Sequence, residues 1–174
     1  MQYITNYSSF LGNIILACDH IGLTGLWFED QKYVKATLSP EHILVEDTAC
    51  FPTALSEGIR WLNFYFSGVD PNFTPSLHLN GTAFQMEVWE ILKNIPYGET
   101  MSYGEIASML ANKRGIASMS AQAVGGAVGR NPVSIIVPCH RVVGANGKLT
   151  GYAGGLERKQ ELLNLEGAKV FSSL

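Results

Sequence analysis

Cysteine, histidine and arginine stand together in Pro138-Cys139-His140-Arg141, between the β-branched runs Ile135-Ile136-Val137 and Val142-Val143. A thiolate attacks carbon well, but a free thiol is mostly protonated near neutrality, so a nucleophilic Cys139 needs a base. His140 can take the proton directly or through one water. A histidine base is itself usually oriented by a carboxylate. Acids are scarce here, because residues 106–156 contain no Asp or Glu. Glu157 and Glu161 fall on early, exposed turns of a final helix. Glu166 falls at its C-terminal end beside apolar positions, where the helix dipole opposes a carboxylate by roughly 0.3–1 kcal/mol. That unfavourable place makes Glu166 the candidate orienting group, with an ordinary exposed helix-end glutamate as the plain alternative. Inert burial is the commoner fate of a lone cysteine; the polar His140-Arg141 pair argues against it.

Other side chains could serve the same site. Asn131-Pro132 precedes the cysteine segment, and asparagine can brace a turn through its amide or merely stop a helix. Tyr103 offers a phenolic donor at a helix start. Gly151-Tyr152-Ala153-Gly154-Gly155 is a flexible loop able to present backbone donors.

These residues must be positioned by regular elements. Isoleucine and valine favour extended backbone, and Pro138 removes a donor, so a packed strand ending just before Cys139 is expected. In such a strand Cys139 and His140 would point to opposite sides. The first half of the chain has strand candidates at 14–18 and 23–28 and a helix after Pro52 through Leu55, Ile59, Leu62 and Phe66. The breaker-rich stretch 68–75 marks the boundary between domains 1–79 and 80–174.

The second half reads as helical. Thr82 and Gln85 make a capping box ahead of Phe84, Val88, Ile91, Leu92 and Ile95. Ser102 and Glu105 make another, ahead of Ile106, Met109 and Leu110. Ser118 or Ser120 caps the next helix, which carries Gln122, Ala123, Gly125, Gly126 and Gly129. Glycine within a helix costs about 1 kcal/mol relative to alanine, so this face suits the close approach of another backbone, from a neighbouring helix or a DNA strand. Two short helices joined by a turn fit a helix-turn-helix. The expected fold class is therefore α+β, a small sheet-and-helix domain followed by a helical one.

Composition narrows the function. The 174 residues carry a net charge of −3, unevenly spread: 3 basic against 8 acidic side chains in residues 1–79, and 9 against 7 in 80–174. The acid-free window holds Lys113, Arg114, Arg130, Arg141 and Lys148, a candidate phosphate-facing surface. Three widely spaced cysteines give no disulfide framework or zinc motif, and His20, His42, His78, Cys18 and Cys50 show no ligand spacing. No metal, cofactor, signal peptide or membrane span is expected, and a reducing interior is.

Together these pieces resemble the O6-alkylguanine-DNA alkyltransferases (methylated-DNA–protein-cysteine methyltransferases). The likeness is loose over the whole chain and close from Gly81 to Ala168. It rests on Gly81-Thr82-Ala83-Phe84-Gln85 with Val88-Trp89, Ile95-Pro96-Tyr97-Gly98-Glu99-Thr100, Ser102-Tyr103, Ala123-Val124-Gly125, Asn131-Pro132, Pro138-Cys139-His140-Arg141-Val142, Leu149-Thr150-Gly151-Tyr152-Ala153-Gly154-Gly155 and Leu165-Glu166-Gly167.

The resemblance implies a ribonuclease-H-like first domain and a second domain with a winged helix-turn-helix. It implies that Cys139 accepts the alkyl group, activated through water by His140 with Glu166 orienting it. Asn131 would tie the helix-turn-helix to the cysteine segment. Tyr103 would donate toward guanine N3, while backbone around Val137, Cys139 and Ala153 reads the base and Tyr152 walls the pocket. Ser102, Gln122, Ala123, Gly125, Arg130, Lys113 and Arg114 would contact double-stranded DNA through its minor groove. A cytoplasmic (nuclear in a eukaryote) monomer consumed in one turnover is expected. Gln122 departs from the family, which usually has arginine there, and the loop 112–117 is longer than usual. A cysteine hydrolase and a non-catalytic, lesion-binding helix-turn-helix regulator are the rival readings.

Overall fold

The computed structural model describes residues 1–170, which divide into two compact units. The first comprises Met1–Asn80 together with Pro132–Ser134. Its sheet holds β1 (Gln2–Ser9), β2 (Gly12–Cys18), β3 (Leu23–Phe28) and β4 (His42–Leu44) in the order β3-β2-β1-β4. β1, β2 and β3 pair antiparallel, and β4 runs parallel to β1. β1 is not evident from composition, since only Ile4 and Thr5 within it are buried. Its register against β2, from Tyr3–Cys18 to Ser9–Gly12, makes it a strand.

Helix α1 (Thr53–Phe66) packs on this sheet. Its buried face is Leu55, Gly58, Leu62 and Tyr65, whereas the expected Ile59 and Phe66 are only half-buried. Gly58 sets the approach, because a Cβ there would lie 2.9 Å from the Leu16 side chain. The stretch 68–75 stays within this unit. Beyond it the Leu23 amide donates to Ser76 O (2.7 Å) and the His78 amide to Leu23 O (2.8 Å). Pro132–Ser134 joins β3 similarly, through Leu26 N to Pro132 O and Ser134 N to Leu26 O, both 2.9 Å.

The second unit, Gly81–Asn131 and the chain from Ile135, holds α2 (Ala83–Lys93), β5 (Met101–Ser102), α3 (Tyr103–Arg114), α4 (Ala121–Gly129), β6 (Val142–Val143) and α5 (Leu156–Leu165). Both capping boxes form: Thr82 with Gln85 starts α2, and Ser102 with Glu105 starts α3. Ser120 caps α4 by accepting from the Ala123 amide. Gly115 closes α3 in a left-handed conformation at φ 65°. Trp89 donates its indole N–H to Ala127 O at 2.9 Å, tying α2 to α4. α3 buries Ile106, Ala107, Leu110 and Ala111, and the expected Met109 is exposed. α3 and α4 pack together as a helix-turn-helix.

The expected strand before Cys139 does not form. Residues 134–136 turn, with Ile135 left-handed at φ 69°. Pro138, at φ −82° and ψ 65°, completes an inverse γ-turn closed by the Cys139 amide on Val137 O at 2.8 Å. Cys139–Arg141 is one 3-10 turn, and extended backbone resumes only at β6, which runs parallel to β5. The β-branched composition reflects burial instead of ladder pairing, for every residue from Asn131 to Val143 is buried. A left-handed β-branched residue costs of order 1–3 kcal/mol and persists only where its surroundings impose it.

Candidate active site

The 3-10 turn presents Cys139, His140 and Arg141 as consecutive buried side chains. A helical turn removes the expectation that Cys139 and His140 lie on opposite sides of a strand. Cys139 is 5% exposed and His140 is wholly buried. His140 Nε2 lies 2.6 Å from Glu166 Oε1. Glu166 is the C-cap residue of α5, so its side chain turns back from the helix end toward this turn.

Arg141 completes the arrangement. Its Nε donates to Glu166 Oε2 at 2.8 Å and its Nη2 to Oε1 at 3.0 Å, a two-pronged pair, while Nη1 donates to Ile95 O at 2.6 Å. The Gly98 amide adds a fourth donor to the carboxylate, 3.1 Å from Oε2. Gly98 is left-handed at φ 79°, and a Cβ there would sit 3.0 Å from Glu166 O. Arg141, expected among the phosphate-facing bases, is instead buried and paired with Glu166.

Burial opposes the charge of each group in this cluster. Burial alone would raise the Glu166 carboxyl, but its hydrogen bonds and charge pairing with His140 and Arg141 reverse that and hold it well below the usual carboxylate range. Burial lowers His140 further than Glu166 can raise it, and the Arg141 and Lys159 charges add to the lowering. The imidazole is therefore neutral at pH 7. With Nε2–H donating to the carboxylate, Nδ1 becomes the lone-pair nitrogen.

Tyr103, the first residue of α3, donates its hydroxyl to Thr150 O at 3.1 Å. Burial first, and the Cys139 charge second, push its phenol up to about 12, so it stays a donor. Lys159, on α5, is fully buried and its ammonium donates to Thr150 O (3.0 Å), Gly151 O (2.9 Å) and Val142 O. Burial lowers it to about 8, against the opposing pull of the Cys139 charge. The Tyr152 hydroxyl finds no hydrogen-bond partner among the described residues. Burial and the Cys139 charge hold it well above the usual phenol range.

Asn131 donates its amide to Val137 O at 2.7 Å, directly joining the end of the helix-turn-helix to the cysteine turn. That bond and the Cys139 amide occupy both lone pairs of the Val137 carbonyl. The Val137 carbonyl is thus committed to holding the turn. Gln122 and Ala123 are exposed on the first turn of α4, and Arg130 is exposed at its C-cap. Gly125 faces Tyr103, whose ring would lie 3.7 Å from a Cβ there, while a Cβ at Gly126 or Gly129 would meet nothing within 4 Å. Among the described residues, no neighbouring helix comes that near these two glycines. Arg114 and Lys113 turn to Glu87, at 2.8 and 3.8 Å.

Family models match nearly the entire chain. Residues 83–168 match the DNA-binding domain of 6-O-methylguanine DNA methyltransferase, and residues 2–79 match its ribonuclease-like domain. The chain belongs to the 6-O-methylguanine DNA methyltransferase family. It is 46% identical over 168 residues to the methylated-DNA–protein-cysteine methyltransferase of Methanosarcina acetivorans, covering 96% of this chain and 99% of that protein. The Mycobacterium leprae protein of the same name is 44% identical over 176 residues, covering 100% and 98%. A crystal structure of Mycobacterium tuberculosis OGT in complex with DNA superposes with TM-score 0.80 at 42% identity, covering 95% of this chain and 92% of that one.

Within this methyltransferase-family fold, Arg141 and Lys159 are the site residues that sequence reasoning missed. The signal was present in α5. Residues 156, 159, 163 and 166 repeat at helical spacing, which puts Lys159 and Glu166 on the stripe that buries Leu163.

Proposed function

We propose that this chain repairs O6-alkylguanine in DNA by transferring the alkyl group irreversibly to Cys139. The observation that carries the reading is Cys139 in a buried turn beside a neutral imidazole that is fixed on the Glu166 carboxylate.

The chemistry follows from that arrangement. His140 Nδ1 takes the thiol proton through a water, and the Cys139 sulfur attacks the alkyl carbon as the carbon–O6 bond breaks. The bonding pair leaves on guanine, which takes up a proton. Tyr103, a donor at neutral pH, turns its single O–H from Thr150 O to guanine N3 and stabilises the charge growing there. Tyr152 walls the pocket and the Ala153 backbone reads the base. The product is a thioether, which has no hydrolysable bond to return the thiol, so each molecule acts once. The retained cysteine disfavours a purely lesion-binding role.

α4 delivers the nucleotide. Its exposed Gln122-Ala123 turn and open Gly126 face let a DNA backbone approach at the minor groove, and the target base is extruded at a cost of a few kcal/mol. Ser102, Gly125 and Arg130, with Lys113 and Arg114 from the other end of α3, complete the contact. No helix among the described residues is long and apolar enough to cross a membrane. Such a monomeric DNA-repair protein works in the cytoplasm, or in the nucleus of a eukaryote. Titrating a duplex carrying O6-methylguanine with the protein tests the reading. Lesion loss should stop at one lesion per protein molecule; repair of many lesions per molecule, or of none, contradicts it.

A further inference from the structure

Arg141 follows the cysteine-histidine pair, yet it is buried and turned to a carboxylate. Its guanidinium fork occupies both oxygens of Glu166, sharing Oε1 with His140 Nε2. Its remaining nitrogen is fixed by Ile95 O, and its guanidinium carbon lies 5.8 Å from the centre of the Tyr97 ring. A carboxylate facing His140 alone would favour an imidazolium, which has no lone pair with which to take a proton. A carboxylate already paired with a permanent cation exerts much less pull.

We propose that Arg141 is a positioning residue which takes up the charge of Glu166, so that the carboxylate orients His140 as a neutral ring with its proton on Nε2. This deepens the repair reading, on which it rests for what the base then does. The charged and titratable groups against His140 are Glu166 and Lys159 from α5 and its chain neighbours Cys139 and Arg141. Lys159 also opposes imidazolium, but its ammonium is held on backbone carbonyls and does not contact Glu166 by any hydrogen bond in the network described above. Arg141 contacts the same carboxylate as the imidazole through a hydrogen-bonded fork. Lysine cannot reproduce that fork.

The test uses the full chain labelled in its histidines, with His140→Gln to assign the His140 ring signals. Wild type should show a neutral Nε2–H ring at pH 7, still neutral well below the ordinary value of about 6.5. Arg141→Met should raise the His140 midpoint by at least about one pH unit, a tenfold change in protonation ratio. The acid limb of single-turnover methyl transfer should move up with it. Arg141→Lys gives the same readouts with a cation retained, and should shift both in the same direction. A wild-type His140 that titrates near 6.5, or variants that leave both midpoint and acid limb unmoved, would overturn the assignment. Loss of packing alone would lower the folded fraction without moving either. If the methionine variant does not fold, the wild-type ring and the lysine variant still decide. A wild-type protein that accepts no methyl group would sink the repair reading, while the ring spectra still settle Arg141.

Discussion

At the scale of single residues, the site is a set of charges kept apart from water by mutual pairing. That has a consequence for stability. His140 titrates lower in the folded state than in the unfolded one, so on acidification below about 6.5 the unfolded chain binds the proton first. Glu166 is likewise held low, and its contribution, complete above the unfolded carboxyl value of about 4.3, is lost as pH falls below that. Thermal denaturation against pH should therefore show the melting temperature falling in two stages, the first between pH 7 and 5. His140→Gln should remove the first stage and Glu166→Gln should shrink the second, to which Asp19 also contributes; a melting temperature flat from pH 7 to 5 would contradict the neutral, buried imidazole. Cys139→Ala deletes only a sulfur from a turn held by Asn131 and Pro138. It should keep the fold and lesion binding, measured by duplex titration, while abolishing transfer.

At the scale of elements, α4 carries the clearest predictions. Gly126→Ala should stabilise the fold by about 0.5–1 kcal/mol, because the site is open and alanine is the better helix former. Gly126→Leu, which adds bulk on the same open face, should weaken duplex binding without lowering the melting temperature. Ser120→Ala removes the cap of α4 and should cost about 1 kcal/mol, read from denaturant unfolding. Gln122→Arg should tighten duplex binding and steepen its salt dependence by about one counterion. Both capping boxes, the helix-turn-helix and two of the strands were legible in the sequence, because each depends on neighbours within a few residues. β1 and the cysteine turn were not. A strand of mixed polar residues is decided by its partner, and β-branched residues buried all round look alike in a strand or a turn. Arg141 and Lys159 were misread or passed over for a similar reason. A charge signals surface until the helix that packs it, or the carboxylate that pairs it, is known.

At the scale of the molecule, a net charge of −3 conceals an uneven distribution. The first unit is acidic, and the second holds the acid-free window together with α4 and the thiol. One nucleophile, with no release step, makes repair stoichiometric. The direct measurement is the intact mass of the protein after incubation with a duplex carrying a single O6-methylguanine, followed by mapping of the modified peptide. One methyl adduct on Cys139, matched mole for mole by lesion loss, is the expected result. Unmodified protein with the lesion intact, or an adduct on Cys18 or Cys50 instead, would contradict alkyl transfer to Cys139.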